Sequence, residues 1–456
     1  MSDMIKTDIC VIGAGSGGLS VAAGAAQMGA RVVLIEKAEM GGDCLNTGCV
    51  PSKALLHAGK AGMDWDAAHQ HVRSAIETIA PHDSVERFEG LGVRVIQGSA
   101  RFTSKREVIV GEQVIRARRF VVATGSRPLI PDVTGLKEAE PLTNETIFDL
   151  KDRPDHLLII GGGPIGMEMA VAHRQLGCSV TVLEGSRALG REDQEAAKVV
   201  LDSARDMGIK IVEDAQAVRI TKSNGEIEIV TQDGGVFTGT HLLVAVGRRA
   251  VVEELGLEVA GVALERGAIK VDAGLRTTNK RILAIGDVAG QGQFTHLAGY
   301  QAGVITRRLL FALPAKAKSS HIPRATYTTP ELAHIGLSEE DARREYGGRI
   351  EVVRFDVSGL DRAITSGETR GFAKVVVLGG KPIGATIVSA DAGEQIGIWS
   401  LMINQGLKMS ALAGMVVPYP VRAELPKRVA GAYFSPRLFE SDKVKRFVRL
   451  VQKLVP

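Results

Sequence analysis

Asp8-Ile9-Cys10-Val11-Ile12-Gly13-Ala14-Gly15-Ser16-Gly17-Gly18 joins an apolar strand to a helix of small residues through a glycine turn. A lone G-x-G-x-x-G is a weak pattern. Here a second strand follows, Arg31-Val32-Val33-Leu34-Ile35-Glu36, and it ends in an acid at the distance that completes a dinucleotide-binding βαβ unit. Gly13, Gly15 and Gly18 let the backbone approach a pyrophosphate, whose charge rests on the helix N-terminus. Glu36 is expected to accept hydrogen bonds from an adenosine ribose. The pattern recurs in Leu158-Ile159-Ile160-Gly161-Gly162-Gly163-Pro164-Ile165-Gly166, where Gly161, Gly163 and Gly166 take the same places. Its second strand, Ser179 to Leu183, closes on Glu184, and the interval from Gly161 to Glu184 equals that from Gly13 to Glu36. A surface glycine turn explains one such match but not a matched pair. The chain is therefore expected to be α/β, with two Rossmann-like domains holding two dinucleotides.

Just past the first unit runs Gly41-Gly42-Asp43-Cys44-Leu45-Asn46-Thr47-Gly48-Cys49-Val50-Pro51-Ser52-Lys53. Five residues of regular helix advance about 7.5 Å, whereas a disulfide needs Cα atoms within roughly 4.4–6.8 Å. If Cys44 and Cys49 are to bond, the chain between them must fold tightly, and Gly48 is expected to supply the backbone freedom. Pro51 marks the first turn of a helix that Cys49 opens, and a thiol at a helix N-terminus has its thiolate stabilised. The residues alone leave a redox pair, a plain stabilising disulfide or two buried thiols. A chain without secretory features seldom keeps a structural disulfide. Cys10 and Cys178, on apolar strands, read as packing residues.

These residues resemble the redox motif G-G-T-C-x-N-x-G-C-x-P-S-K of the pyridine nucleotide–disulfide oxidoreductases, with Asp43 as the departure. The resemblance implies an FAD flavoprotein in which electrons pass from a nicotinamide through the flavin to a Cys44–Cys49 disulfide. Cys49 is then the thiol nearer the flavin and Cys44 the interchange thiol. Lys53 reaches the flavin region and pairs with Glu168, and Gly42 belongs to the flavin site. Val121-Val122-Ala123-Thr124-Gly125 resembles the family's A-T-G segment. Ile282-Leu283-Ala284-Ile285-Gly286-Asp287 resembles the second FAD motif, with Asp287 on the ribityl chain. Phe294-Thr295-His296-Leu297-Ala298 opens a helix similar to the family's L-A-H-x-A, its N-terminus facing the flavin. His296 reads as a capping residue. At the second site Glu184 favours NADH over NADPH, because it would repel the extra phosphate, although Arg187 and Arg191 lie close in sequence.

The departures narrow the activity. Disulfide reductases of the family carry H-P-T-x-x-E, whose His, from the partner subunit, is the acid–base catalyst. This chain reads Pro418-Tyr419-Pro420-Val421-Arg422-Ala423-Glu424, with Tyr419 at the His position and Glu424 at the Glu position. A phenol titrates near pH ~10 and an imidazole near neutrality, so Tyr419 is a poor base unless its pKa falls; packing at a dimer seam is its alternative role. The mercuric reductase branch carries a Tyr here, but it also carries a C-terminal cysteine pair and an N-terminal C-x-x-C domain. This chain ends Lys453-Leu454-Val455-Pro456. Pro164 stands where glutathione reductases place a gating Tyr. Dihydrolipoamide dehydrogenase and mercuric reductase are the nearest patterns and neither is fully fitted; the expected activity is dihydrolipoamide dehydrogenase-like, on a small-molecule or carrier-bound disulfide. A metal-ion or quinone reductase and a non-catalytic redox subunit are the rivals.

With 456 residues there is room for about three domains. The expected FAD domain is discontinuous, residues 1–150 and 275–320, around an NAD domain at 151–274. The β patterns of 321–440 match the family's α+β dimerisation domain, which implies a homodimer. A net charge of +4, few aromatics and no dense basic block exclude a nucleic-acid binder. The early first strand reads as no signal peptide and no apolar run reaches spanning length, so a soluble cytoplasmic protein is expected. His69 and His71, on a polar helical stretch from Trp65 to about Gly90, read as solvated, with no metal site. Residues 441–456 read as a basic amphipathic helix, packed on its own domain more readily than docked to a membrane or partner.

Overall fold

In the computed structural model, residues 4–455 are described; Pro456, the last residue of the tail, lies outside them. The chain divides into two compact units, residues 1–185 with 214–318, and residues 186–213 with 319–456.

The first unit is built on two parallel sheets. Strand β1 (Ile5–Ile12) lies between β2 (Val32–Glu36) and the strand Gln113–Val122, and β2 pairs in turn with Val93–Gln97. The last residues of Gln113–Val122 also pair in parallel with Ile282–Ala284, so a segment far along the chain completes the first sheet. An antiparallel pair, Arg101–Ser104 and Glu107–Val110, extends the other end of Gln113–Val122. Every residue of β2 is buried, the pattern of a parallel strand covered on both faces. Each of its Val, Leu and Ile side chains contributes about 1.5–3 kcal/mol by leaving water. In the second sheet His156–Ile160 lies between Ser179–Leu183 and His241–Val244, again in parallel.

Both glycine turns sit where such strands end and helices begin, α1 (Ser16–Gln27) after β1 and the helix Pro164–Gln175 after His156–Ile160. Register aligns Ile12 with Ile35 and with Val122, so the first turn emerges at the carboxyl edge of three neighbouring strands.

In the second unit an antiparallel sheet runs in the order Arg324–Thr326, Glu331–Gly336, Lys381–Ser389, Phe372–Leu378, Ile350–Asp356. Its core gathers Trp399 and Met402 from the helix Ala392–Gln405 and Val429 from Leu425–Phe439 against Val375 and Ile387. Trp399 is fully buried, and its indole N–H has no hydrogen-bond partner among the described residues.

The stretch from Trp65 is helical as expected, in three pieces: Trp65–Ile79, a 3₁₀ turn at Ala80–Asp83, where Pro81 cannot continue the helix, and Val85–Gly90. One expectation fails here. His69 is buried rather than solvated, with its ring 4.4 Å from that of Trp65 and its Nε2 without a partner among the described residues. Burial holds its pKa below the usual imidazole value. His71 stays partly exposed.

Candidate active site

The six fingerprint glycines are glycine for two different reasons. A Cβ on Gly13 would lie 2.4 Å from the Ala123 carbonyl, and one on Gly18 would lie 1.9 Å from the Gly13 carbonyl. Gly161 and Gly166 repeat this, at 2.5 Å from the Ala245 carbonyl and 1.9 Å from the Gly161 carbonyl. These four are fixed by the protein's own backbone. The middle glycines differ: a Cβ on Gly15 or on Gly163 would meet nothing within 4 Å. The space in front of each is a cradle at a helix N-terminus, which is what a pyrophosphate requires. The residues therefore fit a dinucleotide at both turns.

The two acids also match. Glu36 is buried and accepts from the backbone N–H of Ala14 at 2.6 Å and of Ala38 at 2.8 Å. Glu184 accepts from the N–H of Gly162 at 2.7 Å, the equivalent place in the second turn. Each acid thus braces the loop it serves.

Helix α2 (Gly42–Asn46) carries Cys44, and Cys49 is the first residue of α3 (Cys49–Lys60). The reversal leading into α2 depends on Gly41 and Gly42, at φ +88° and +61°, in the left-handed region where glycine is unstrained. Gly48 has φ −129° and ψ −112°, outside the left-handed region. Its lack of a side chain also serves close approach, since a Cβ would stand 2.7 Å from the Asp43 carbonyl. The redox segment is joined to the first turn: Gly41 N–H donates to the Ala14 carbonyl at 3.0 Å, and a Cβ on Gly42 would lie 2.8 Å from Gly15 Cα.

Both cysteines are free thiols, and Cys49 is exposed. The hydrogen bond from Cys44 is the main reason that the Cys49 thiol is lowered to about 6. Burial opposes this, while the Thr295 hydroxyl, 3.4 Å from Cys49 Sγ, and the charge of Lys53 support it. Cys44 is pushed up, first by that same bond and then by burial. The pair is a thiolate beside a thiol. Lys53 Nζ donates to Glu168 Oε2 at 2.7 Å, the pairing the resemblance implies, and the Glu168 carboxylate is almost wholly buried. Thr295 opens the helix Thr295–Phe311, on which Leu297 and Ala298 are buried. A Cβ on Gly17 would touch Ala298 Cβ at 3.2 Å, so this helix packs tightly on α1. Cys10 and Cys178 are fully buried, and burial pushes Cys178 up to about 11, so neither is a reactive thiol.

Asp43, the departure from the family motif, has acquired a cation. Arg248 Nη2 lies 3.1 Å from Asp43 Oδ2, with the guanidinium nearly buried. Arg248 also donates to the Ser126 hydroxyl at 2.8 Å and to Asn144 Oδ1 at 3.0 Å, and Asn144 donates to Asp43 Oδ1 at 2.8 Å. The Ser126 hydroxyl in turn donates to Asp287 Oδ2 at 2.5 Å. Burial raises the Asp287 carboxyl pKa, and the Ser126 bond opposes the rise. Gly286, at φ +70°, donates its N–H to the buried Gln301 Oε1 at 2.7 Å. Thr124 donates its hydroxyl to the Val251 carbonyl at 2.7 Å, and Gly125 follows at φ +68°. Thr295, Arg248, Ser126 and Gln301 were not singled out from sequence. Thr295 alone carried a signal, its place in the segment Phe294 to Ala298.

Tyr419 and Glu424 belong to the second unit and do not bond to each other. The Tyr419 hydroxyl donates to Asp361 Oδ2 at 2.8 Å, and that bond is the main cause raising its pKa above the ordinary phenol value. Tyr419 is 70% exposed. Glu424 pairs with Arg428 at 3.0 Å, and its buried Oε2 has no partner among the described residues.

Comparison with known proteins identifies the family. Residues 7–302 match the pyridine nucleotide-disulphide oxidoreductase family, and residues 322–430 match its dimerisation domain. A mercuric reductase of Lysinibacillus sphaericus is 34% identical over 442 residues, which are 91% of this chain and 81% of that protein. Dihydrolipoyl dehydrogenase 3 of Haloarcula marismortui is 31% identical over 454 residues, 92% of this chain and 94% of the relative. Among solved structures, the Cu(II) complex of the HOCl-induced flavoprotein disulfide reductase RclA from Escherichia coli superposes with a TM-score of 0.88. It is 30% identical, covering 93% of this chain and 99% of the other.

Proposed function

Because the chain belongs to the pyridine nucleotide–disulphide oxidoreductase family, an FAD-dependent family of NAD(P)H-linked enzymes with a dimerisation domain, we propose that it reduces a small or carrier-bound disulfide with NADH through Cys44 and Cys49. In this reading FAD is held by residues 1–150 and 275–320, with Gly13, Gly15, Gly18, Glu36, Gly42, Lys53, Thr124, Gly125, Gly286, Asp287, Leu297 and Ala298 forming its site. NAD is held by residues 151–274 through Gly161, Gly163, Gly166 and Glu184. Bound FAD supplies the exchange between two-electron nicotinamide chemistry and thiol–disulfide chemistry. The observation that carries the proposal is the Cys49 sulfur held at a helix N-terminus beside the Thr295 hydroxyl, with Lys53 a turn away.

The thiols divide the work. Cys44, once deprotonated, attacks one substrate sulfur, forming a mixed disulfide and expelling the first thiolate. Cys49 then attacks Cys44 Sγ, releasing the second thiolate and closing the Cys44–Cys49 disulfide. Two protons make the products thiols, and two electrons from NADH reopen the disulfide. The proton transfers need an acid–base group. With its pKa raised by Asp361, Tyr419 is unsuited to that duty near neutral pH.

The test is NADH oxidation by the FAD-loaded protein with lipoamide as acceptor, beside Tyr419→His. General acid–base catalysis is worth about 10²–10⁴-fold, so slow wild-type turnover that His raises by at least the lower bound is expected. Rapid wild-type turnover would sink the argument from Tyr419. A metal-ion reductase is the second reading. The mercuric reductase relatives and the Cu(II) complex of the E. coli neighbour favour it. Turnover with Hg(II) or Cu(II) that exceeds turnover with every disulfide tried would decide for it.

A further inference from the structure

The helix Asp442–Leu454 buries none of its residues. The expectation that it would pack its apolar face on its own domain is met only in part: Val444 and Val451 are half-buried, and the rest of that face is exposed. Val444, Phe447, Val448, Val451 and Leu454 recur at i, i+3, i+4, i+7 and i+10, one stripe of a helix, with Leu450 at its margin. Phe447 is 65% exposed and Leu454 71%, and the preceding helix ends on the exposed Leu438 and Phe439. Lys445, Arg446, Arg449 and Lys453 share the opposite side, and Asp442 is the sole acid among the helix's thirteen residues. Ser441 caps the first turn by accepting from the Val444 N–H. A lone helix of this length is marginal in water, and a surface to lie on would stabilise it.

Charge selects that surface. A second copy of the helix would set cations against cations with only Asp442 to pair them, whereas a lipid phosphate layer pairs them all. At about 1.5 Å per residue the helix is roughly 20 Å long, suited to lying in an interface and too short to span about 30 Å of hydrocarbon. No helix among the described residues is long and apolar enough to cross a membrane. We infer that Asp442–Leu454 docks flat on an anionic phospholipid surface, its Phe447 stripe entering the headgroup boundary and its basic side meeting lipid phosphates. Such docking holds the enzyme peripherally at a membrane without inserting a span.

The experiment is sedimentation of the FAD-loaded full chain with phosphatidylcholine vesicles, with and without phosphatidylglycerol. Binding should require phosphatidylglycerol and weaken as salt rises. Each basic residue near an anionic surface is worth about fivefold in binding, so Arg446→Gln with Arg449→Gln should lower the partition coefficient by about 25-fold. Phe447→Glu should abolish sedimentation while FAD content and NADH oxidation stay unchanged. No sedimentation with either vesicle, or equal salt-insensitive binding to both, overturns the inference. So does a shift of Phe447→Glu from dimer to monomer by light scattering, which would assign the stripe to a second copy of the chain.

Discussion

At the scale of single residues, the site is an arrangement of unlike neighbours. Cys44 and Cys49 are the same side chain, yet one is held as a thiol and the other as a thiolate, because a proton shared between two sulfurs can rest on only one. The charge of Lys53 favours the thiolate on Cys49. Reactivity should follow. Labelling of Cys49 by iodoacetamide in the reduced protein should rise with pH through about 6 and level off near neutrality. A lowered pKa means that the reactive form persists above that value and is lost below it. Cys44→Ala removes the largest cause, so the midpoint should move up toward that of an ordinary thiol, about 8.5. An unmoved midpoint, read by mass spectrometry of the labelled peptide, would show that Cys44 does not set it.

At the scale of elements, the two strand–turn–helix units show what was legible in the sequence. Glycine spacing, strand character and the terminal acid are all local, and both turns are built as that pattern requires. What escaped detection depends on long-range contact. The Thr295 hydroxyl reaches Cys49 only because its helix packs on α1 through Gly17 and Ala298. His69 is buried by the helices around it, not by its own polar neighbours in sequence. The amphipathic tail was legible as a helix, but whether anything covered its apolar face was a tertiary fact. The middle glycine of the first turn gives this scale its prediction. Gly15→Val adds atoms only to open space, so the FAD-free chain should melt as before, while FAD affinity falls by about 5- to 200-fold through overpacking of about 1–3 kcal/mol. Gly18→Ala drives a methyl into the Gly13 carbonyl and should lower the melting temperature of the FAD-free chain itself. Differential scanning calorimetry with a flavin-fluorescence titration separates the two.

On the scale of the whole molecule, one unit carries both dinucleotide cradles and the thiols, and the other carries the sheet that matches the dimerisation domain. That second unit leaves Leu401 and Val416 exposed, Val416 to 88%. Apolar residues so placed on a domain of this family are expected to be covered by a second copy of the chain. Leu401→Glu combined with Val416→Glu should therefore give a monomer by light scattering. It should retain FAD, whose proposed site lies in the first unit, yet lose disulfide turnover if the family's exchange of groups between subunits holds here. A dimer that survives both changes would place the seam elsewhere on the second unit.

The Asp43–Arg248 pair has a consequence for how such chains are recognised. A search that insists on threonine before the first redox cysteine would discard this sequence, although its active-site architecture is whole. Acid and cation are distant in sequence and meet only in the folded unit. Arg248 also holds Ser126 and Asn144, so the arginine can stand without the aspartate, whereas an aspartate at this place is a signpost to a basic residue after the second dinucleotide unit.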